Sequence, residues 1–375
     1  MYCKKISVLN FRNIERAEVE FSEGVNILAG ENAQGKTNLL EAIFYPSVGR
    51  SFRGAHTPEI IRFGEKSAEI HMDFRDAKRD QSIGVKIFRD KQRQIEKNGL
   101  RLDKLSDLVG SFRAVLFCPE HLSMIKDGPS ERRGYMDMAI SRMYPMYLYS
   151  LQTYSYLLRQ RNALLKSAWN DRATFDATVE LWSEKLAHEA AVISDMRLQF
   201  VRRASRYVAE CFGEMMGERE IPTLVYDGSS GQKAEEYADR ELTEKKYYSL
   251  LMSSHDREIA AGATLWGIHK DDLDICLNGK SARIYGSQGQ QRSLALAMKL
   301  AEGEICREEF GDYPVFLFDD VLSELDASRR DYLIHKIRGK QVILTSCEPD
   351  LLSDMKNVRR ILVENGSYFS FKKEK

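Results

Sequence analysis

The sequence of 375 residues carries no net charge, 56 basic against 56 acidic residues, and has only eight prolines. It has no apolar run near the roughly eighteen residues of a membrane span. Its six cysteines, Cys3, Cys118, Cys211, Cys276, Cys306 and Cys347, form no Cys-x-x-Cys pair. Balanced charge excludes a uniformly cationic binder of polyanions, so any nucleic-acid contact must come from local patches. Scattered cysteines exclude a disulfide framework or a zinc site and fit a reducing compartment. The opening Met1 to Phe11 alternates as a strand does and holds no apolar leader core, so the sequence reads as cytoplasmic, with no membrane partner. Internal repeats and low-complexity segments are also lacking. What is present, 43% hydrophobic and 30% charged residues, is the composition of a globular enzyme large enough for two or three packed units.

The first hundred residues predict strands. Ile6, Val8 and Phe11 are spaced nearly by two, Ala17 to Phe21 alternates, and Val25 to Leu28 is an apolar run before glycine. A helix follows from Thr37 to Phe44. Ala68 to Phe74 and Ile83 to Phe88 alternate, and Asn98-Gly99 signals a hairpin, so an antiparallel sheet is expected beside a parallel core. From Ser130 to Met216 the period becomes helical, interrupted only by Pro145. Gly217 to Lys246 reads as an acidic loop with a short strand at Thr223 to Tyr226. Leu273 to Leu277 runs into a second hairpin signal, Asn278-Gly279, and a long helix begins near Gly289. Val315 to Phe318 and Val342 to Leu344 read as buried parallel strands. Three segments result: 1–128 and 256–375 as halves of an α/β head, and 129–255 as a helical arm with the acidic loop.

The chemistry starts at Gly30-Glu31-Asn32-Ala33-Gln34-Gly35-Lys36-Thr37, which fits G-x-x-x-x-G-K-[ST]. Such a loop turns its N–H groups toward a phosphate at a helix N-terminus. Lys36 then reaches the terminal phosphates and the Thr37 hydroxyl coordinates Mg²⁺. Asp319 and Asp320 end the apolar strand from Val315, the first placed to hold the metal and the second to orient or deprotonate water. From Lys36 to Asp319 is 283 positions, so an insertion splits the nucleotide fold. Ser287-Gln-Gly-Gln-Gln-Arg292 opens the later helix and makes a second anion site. A second site in a chain that already owns one makes sense if it serves ATP held by another copy.

These motifs together, a Walker A, a Walker B, a signature-like Ser287-Gln-Gly-Gln-Gln and a D-loop at Ser323-Glu-Leu-Asp326, resemble the ABC-type ATPases of the SMC group. The opening Leu9-Asn-Phe-Arg-Asn-Ile14, Gly49-Arg-Ser-Phe-Arg-Gly54, Phe117 to Arg133, His269-Lys-Asp-Asp272 and Gly289 to Ala297 resemble the bacterial RecF family more narrowly. That resemblance implies a cytoplasmic DNA-repair ATPase that dimerises with ATP, binds DNA near single-strand gaps, works with RecR and RecO, and helps load RecA, hydrolysing ATP slowly under DNA stimulation. It implies that Asn38 supports the loop, that Asp319 partners the metal, that Asp320 stands at the catalytic carboxylate position, and that Ser287, Gly289 and Gln290 contact phosphate in trans. The sequence departs from the pattern in three places. Aspartate replaces the commoner glutamate at 320, Thr345, Ser346 and Cys347 stand where a switch histidine is expected, and Ile268 and Lys270 replace a proline and an arginine. A transporter ATPase subunit and a nucleotide kinase share the Walker motifs; the long helical insertion argues against the first, and the signature against the second.

Resolved by segment, the zero charge is a sum of unlike parts. Lys78 to Lys104 holds nine basic and four acidic residues, a net of +5, and Glu131 to Arg206 holds twelve and eight, a net of +4. Glu210 to Glu244 offsets them with three and ten, a net of −7. Sequence-independent DNA binding needs clustered cations, which points to Lys86, Arg89, Lys91 and Arg93 and to Arg202, Arg203 and Arg206.

Overall fold

A computed structural model describes residues 1–54, 57–217, 219–348, 352 and 358–370. The chain divides into two compact units, one of Met1–His121 with Leu296–Lys375 and one of Leu122–Ala295. In the first, six strands pair antiparallel in the order Ile14–Glu20, Tyr2–Phe11, Ser67–Arg75, Asp80–Phe88, Gln94–Lys97, Leu100–Leu102. Their alternation sends Ile6, Val8, Ile70, Met72, Ile83 and Val85 into the core, each at most 2% exposed. Burying such a side chain stabilises by about 1.5–3 kcal/mol. The opposite face carries cross-strand ion pairs, Lys5 with Glu18 at 2.6 Å and Lys86 with Glu69 at 2.5 Å.

The second sheet of this unit runs Ser367–Ser370, Arg359–Glu364, Val25–Ala29, Val342–Ser346, Val315–Phe318, Ala114–Phe117. All neighbours are parallel except the Ser367 edge strand. Every residue of its four strands from Val25 to Ala114 is buried, which is why they read as short and largely apolar, with Asn26, Thr345 and Ser346 as the polar members. Asn98-Gly99 and Asn278-Gly279 turn their hairpins with positive φ, as their dipeptides predict. Asn365-Gly366 does the same between the last two strands, at φ 48° and 76°, a turn the sequence reading passed over.

The second unit is mostly helical. Pro129 and Pro145 each open a helix, Pro129–Met143 and Pro145–Ser167, at the position where proline's missing N–H costs nothing. The arm helix Arg172–Met216 is 45 residues long, capped by the Asp171 side chain, which accepts from the Thr174 N–H at 3.0 Å. A three-stranded antiparallel sheet, Lys280–Ser281, Asp272–Leu277, Pro222–Asp227, completes it. The acidic loop expected over Gly217 to Lys246 is only partly a loop. The helix Arg240–Ser253 begins inside it, capped by Asp239, and buries Thr243, Tyr247 and Leu251 at four-residue spacing against the arm helix. Its charges lie on the outer face, and these gave the segment its loop-like composition. The helix Gln288–Phe310 starts next to the predicted position.

Candidate nucleotide site

The strand Val25–Ala29 delivers the chain to the phosphate loop in the middle of the parallel sheet, where ligand crevices form outside the carboxyl ends of strands. Ala33 and Gly35 both adopt positive φ, 65° and 115°, the left-handed backbone that lets a loop curl its N–H groups around an anion. The helix Lys36–Val48 then starts at Gly35 with no side-chain cap, so no capping side chain competes with an anion for its first-turn N–H groups. Gly30 is required for a packing reason. A Cβ there would sit 2.3 Å from the Val363 carbonyl oxygen.

Lys36 is 8% exposed and folds its ammonium back on the loop, donating to the Gly30 carbonyl at 2.5 Å and the Glu31 carbonyl at 2.8 Å. The Cys347 sulfur stands 3.6 Å away and itself donates to the Asn32 side chain. Beside it the Thr37 hydroxyl donates to Asp319 Oδ1 at 2.8 Å. Asp319 is 8% exposed, and burial pushes its carboxyl above the usual carboxylate range, against the hydrogen bonds from Thr37 and Thr345, with the charges of Glu120 and Asp320 adding to the rise. A buried carboxylate and a hydroxyl in contact are two hard oxygen donors. Among the described residues no group of three or more His, Cys, Asp or Glu could hold a metal. That donor set fits Mg²⁺, which keeps most of its waters and takes one or two protein oxygens beside phosphate.

Asp320 is exposed and sits at φ 52°, a left-handed conformation that an aspartate adopts at a cost of order 1 kcal/mol. Three bonds hold it there. Its N–H donates to Thr345 Oγ1 at 2.8 Å, and the Ser323 hydroxyl lies 2.8 Å from both its carbonyl and its Oδ1. Thr345 thus stands between the two carboxylates, since its hydroxyl donates to Asp319 Oδ1 at 2.9 Å. Sequence reasoning saw this threonine only as a missing histidine.

Other supports were equally invisible. Asn13 accepts from the Asn38 amide at 2.7 Å, and Tyr368 donates to the Gly35 carbonyl at 3.0 Å. The Asn365-Gly366 turn donates its two N–H groups to Gln34, at 2.6 and 2.8 Å. The dipeptide Asn365-Gly366 was the one available signal. Arg12 grips the fully buried Glu41 of the loop's helix through two bonds of 2.9 and 3.0 Å, and Ser51 adds a third. These contacts give two motifs, Leu9 to Ile14 and Gly49 to Gly54, a structural task behind the loop.

In the other unit Ser287 caps the helix Gln288–Phe310. Its Oγ accepts the Gln290 N–H at 3.2 Å while its own N–H donates to Gln290 Oε1 at 2.7 Å, a capping box. With one lone pair of the Ser287 oxygen used inward, its proton is still available to an acceptor outside the helix. Gly289 follows in the first turn.

The predicted DNA residues fare unequally. Arg93 turns inward, donating to Tyr45 Oη and the Gly49 carbonyl, both at 2.7 Å. Arg89 binds the carbonyls of Glu65 and Arg62, Lys86 is paired with Glu69, and Lys91 is exposed over the Phe88 ring. On the arm helix Arg203 donates to Tyr144 Oη, Arg206 lies over Tyr207, and Arg202 is exposed.

A family model described as the RecF/RecN/SMC N terminal domain matches residues 2–368. The DNA replication and repair protein RecF of Thermoanaerobacter sp. (strain X514) is 38% identical over 355 residues, 94% of this chain and 96% of that protein. RecF of Bacillus pumilus (strain SAFR-032) is 38% identical over 342 residues, 91% of each. Among solved structures, the recombination mediator protein RecF-ATPrS superposes with a TM-score of 0.92 at 35% identity, covering 99% of this chain and 98% of that one. An SMC head bound to the C-winged helix domain of ScpA gives 0.58 at 16% identity, covering 99% and 97%, which supports the ABC-type ATPase head fold alone. With nearly the whole chain matched by the model and by such relatives, it belongs to the RecF family of DNA replication and repair proteins.

Proposed function

We propose that this protein is an ATP-gated DNA-binding dimer of the cytoplasm, in which two copies sandwich ATP between the phosphate loop of one and Ser287 of the other. The observation that carries the reading is the Lys36, Thr37, Asp319, Thr345, Asp320 constellation, assembled from three strand ends of one sheet. The RecF neighbours in the RecFOR pathway, solved as RecF-ATPrS and RecF-ATP, support ATP as the ligand. In the proposed cycle the loop N–H groups and Lys36 take the β- and γ-phosphates, Lys36 exchanging the carbonyls of Gly30 and Glu31 for phosphate oxygens. Thr37 and Asp319 would hold Mg²⁺, which when bound neutralises charge between those phosphates. Asp320 orients a water and accepts its proton as the water oxygen bonds to the γ-phosphorus and the bond to the β–γ bridging oxygen breaks. Ser287 of the second copy donates its hydroxyl proton to the γ-phosphate, so hydrolysis and release dissolve the dimer.

Hydrolysis on this reading is a slow, DNA-stimulated switch. DNA at single-strand gaps is the partner, held without sequence preference by exposed cations, with RecR and RecO as protein partners in RecA loading. Association makes two weak patches act together, which raises affinity without a new contact. Retention on a gapped DNA substrate, compared with and without ATP at several salt concentrations, tests this. ATP should raise retention at least tenfold in the wild type and not in Lys36→Ala; ATP-independent binding by both proteins would remove the gating.

A further inference from the structure

Resting on the nucleotide-sandwich reading, we propose that Glu220 is a positioning residue for Ser287, acting through the side-chain amide of Gln290. Glu220 lies between the end of the arm helix at Met216 and the strand Pro222–Asp227. Its neighbour Ile221 is fixed by a reciprocal pair of bonds with Asn278, at 2.8 and 2.9 Å. From there Glu220 Oε1 accepts a hydrogen bond from Gln290 Nε2 at 2.6 Å. Glu220 Oε2 is buried and has no hydrogen-bond partner among the described residues.

The chemistry of the amide makes this contact directional. Gln290 must present oxygen to the Ser287 N–H, at 2.7 Å, for the capping box to close. A flipped amide would set its NH₂ against that N–H, donor against donor, and release the serine. An ionised carboxylate has only acceptors, so Glu220 accepts the NH₂ end and repels the oxygen end, which leaves one orientation. Keeping a carboxylate oxygen buried and unserved works against folding. The contact fixes the amide, and through it holds the Ser287 hydroxyl at the helix start, where its proton is available to an acceptor outside.

The test is ATP-dependent association, read by light scattering over a protein dilution series, beside binding of a fluorescent ATP analogue at concentrations where the protein is monomeric. Ser287→Arg, with a bulky cation across the interface, serves as the non-associating reference. Glu220→Ala should weaken association roughly tenfold and leave monomer ATP binding unchanged. Gln290→Ala removes the amide itself and should weaken it at least as much. Adding Glu220→Ala to Gln290→Ala should change association by less than about threefold beyond Gln290→Ala alone, because Glu220 acts only through that amide. A merely structural Glu220 would instead make the two losses multiply. If the wild type associates and Glu220→Ala matches it, or if the losses multiply while circular dichroism shows the double variant folded, the assignment is wrong. A wild type that ATP does not assemble, indistinguishable from Ser287→Arg, overturns the sandwich itself and this assignment with it.

Discussion

Thr345 shows how one hydroxyl can serve two carboxylates of different purpose. It donates to Asp319 and accepts from the Asp320 N–H, so it steadies a metal-side oxygen and the strained residue that faces water. Lys36, in contrast, has donors already occupied by loop carbonyls and gains from phosphate by exchange. Thr345→Val keeps the shape and removes both bonds. A hydrogen bond to a charged group contributes about 1.5–3 kcal/mol, so phosphate release under saturating ATP should slow by roughly tenfold or more. ATP affinity, governed by the loop and Lys36, should change by less than about threefold. A variant that loses affinity and keeps its turnover would place Thr345 in binding instead.

At the scale of elements, the His269-Lys270-Asp271-Asp272 segment holds the helical unit together. Asp271 is fully buried and accepts from Arg197 at 3.1 Å, from the Ser229 N–H at 2.8 Å and from Tyr226, while Asp272 takes two bonds from Arg132 at 2.7 and 2.8 Å. Burial, reinforced by the Asp271 charge, pushes the Tyr226 hydroxyl far above its usual range. His269 accepts from Tyr154 Oη at 2.7 Å on one ring nitrogen and donates to the Thr264 carbonyl at 3.0 Å from the other, which fixes a neutral tautomer. Burial lowers its pKa below 6.5, and burial lowers that of His255 as well. The unfolded chain therefore binds more protons than the folded one below 6.5, and stability present above that value is lost as pH falls toward the folded pKa. The melting temperature should drop between about pH 7 and pH 5, and His269→Gln should flatten that slope in part, leaving the His255 share. Melts followed by circular dichroism across that range check it, and an unchanged slope in the variant would contradict it.

For the whole molecule the zero charge hides its distribution, and side-chain partners decide which cations face solvent. Arg93 is committed to Tyr45 and Gly49, whereas Lys91 and Arg202 are exposed. Lys91→Glu and Arg202→Glu should each weaken DNA binding across all sequences and lower the salt slope by about one unit per lost phosphate contact. Arg93→Glu should instead lower the melting temperature, because it strands two inward acceptors and buries a carboxylate beside them. Fluorescence anisotropy at several salt concentrations, set beside thermal melts, distinguishes these effects. A normal melt with lost DNA binding in Arg93→Glu would reverse the assignment.

The sequence by itself determined what depends on neighbours along the chain. The glycine loop before a helix, the apolar strand ending in Asp319 and Asp320, the Asn-Gly turns and the serine that caps its own helix are set by backbone preference and bonds spanning a few residues. The helix Arg240–Ser253 belonged to the same class, but the charges of its outer face masked the four-residue spacing of Thr243, Tyr247 and Leu251. The tertiary structure alone decided which distant groups complete the site. Tyr368 reaches Gly35 across 333 positions, Thr37 meets Asp319 across 282, and Glu220 holds Gln290 across 70. Parallel pairing sets strand ends side by side whatever their order in the chain, and a single threonine, tyrosine or glutamate leaves no periodic trace of the partner it will meet.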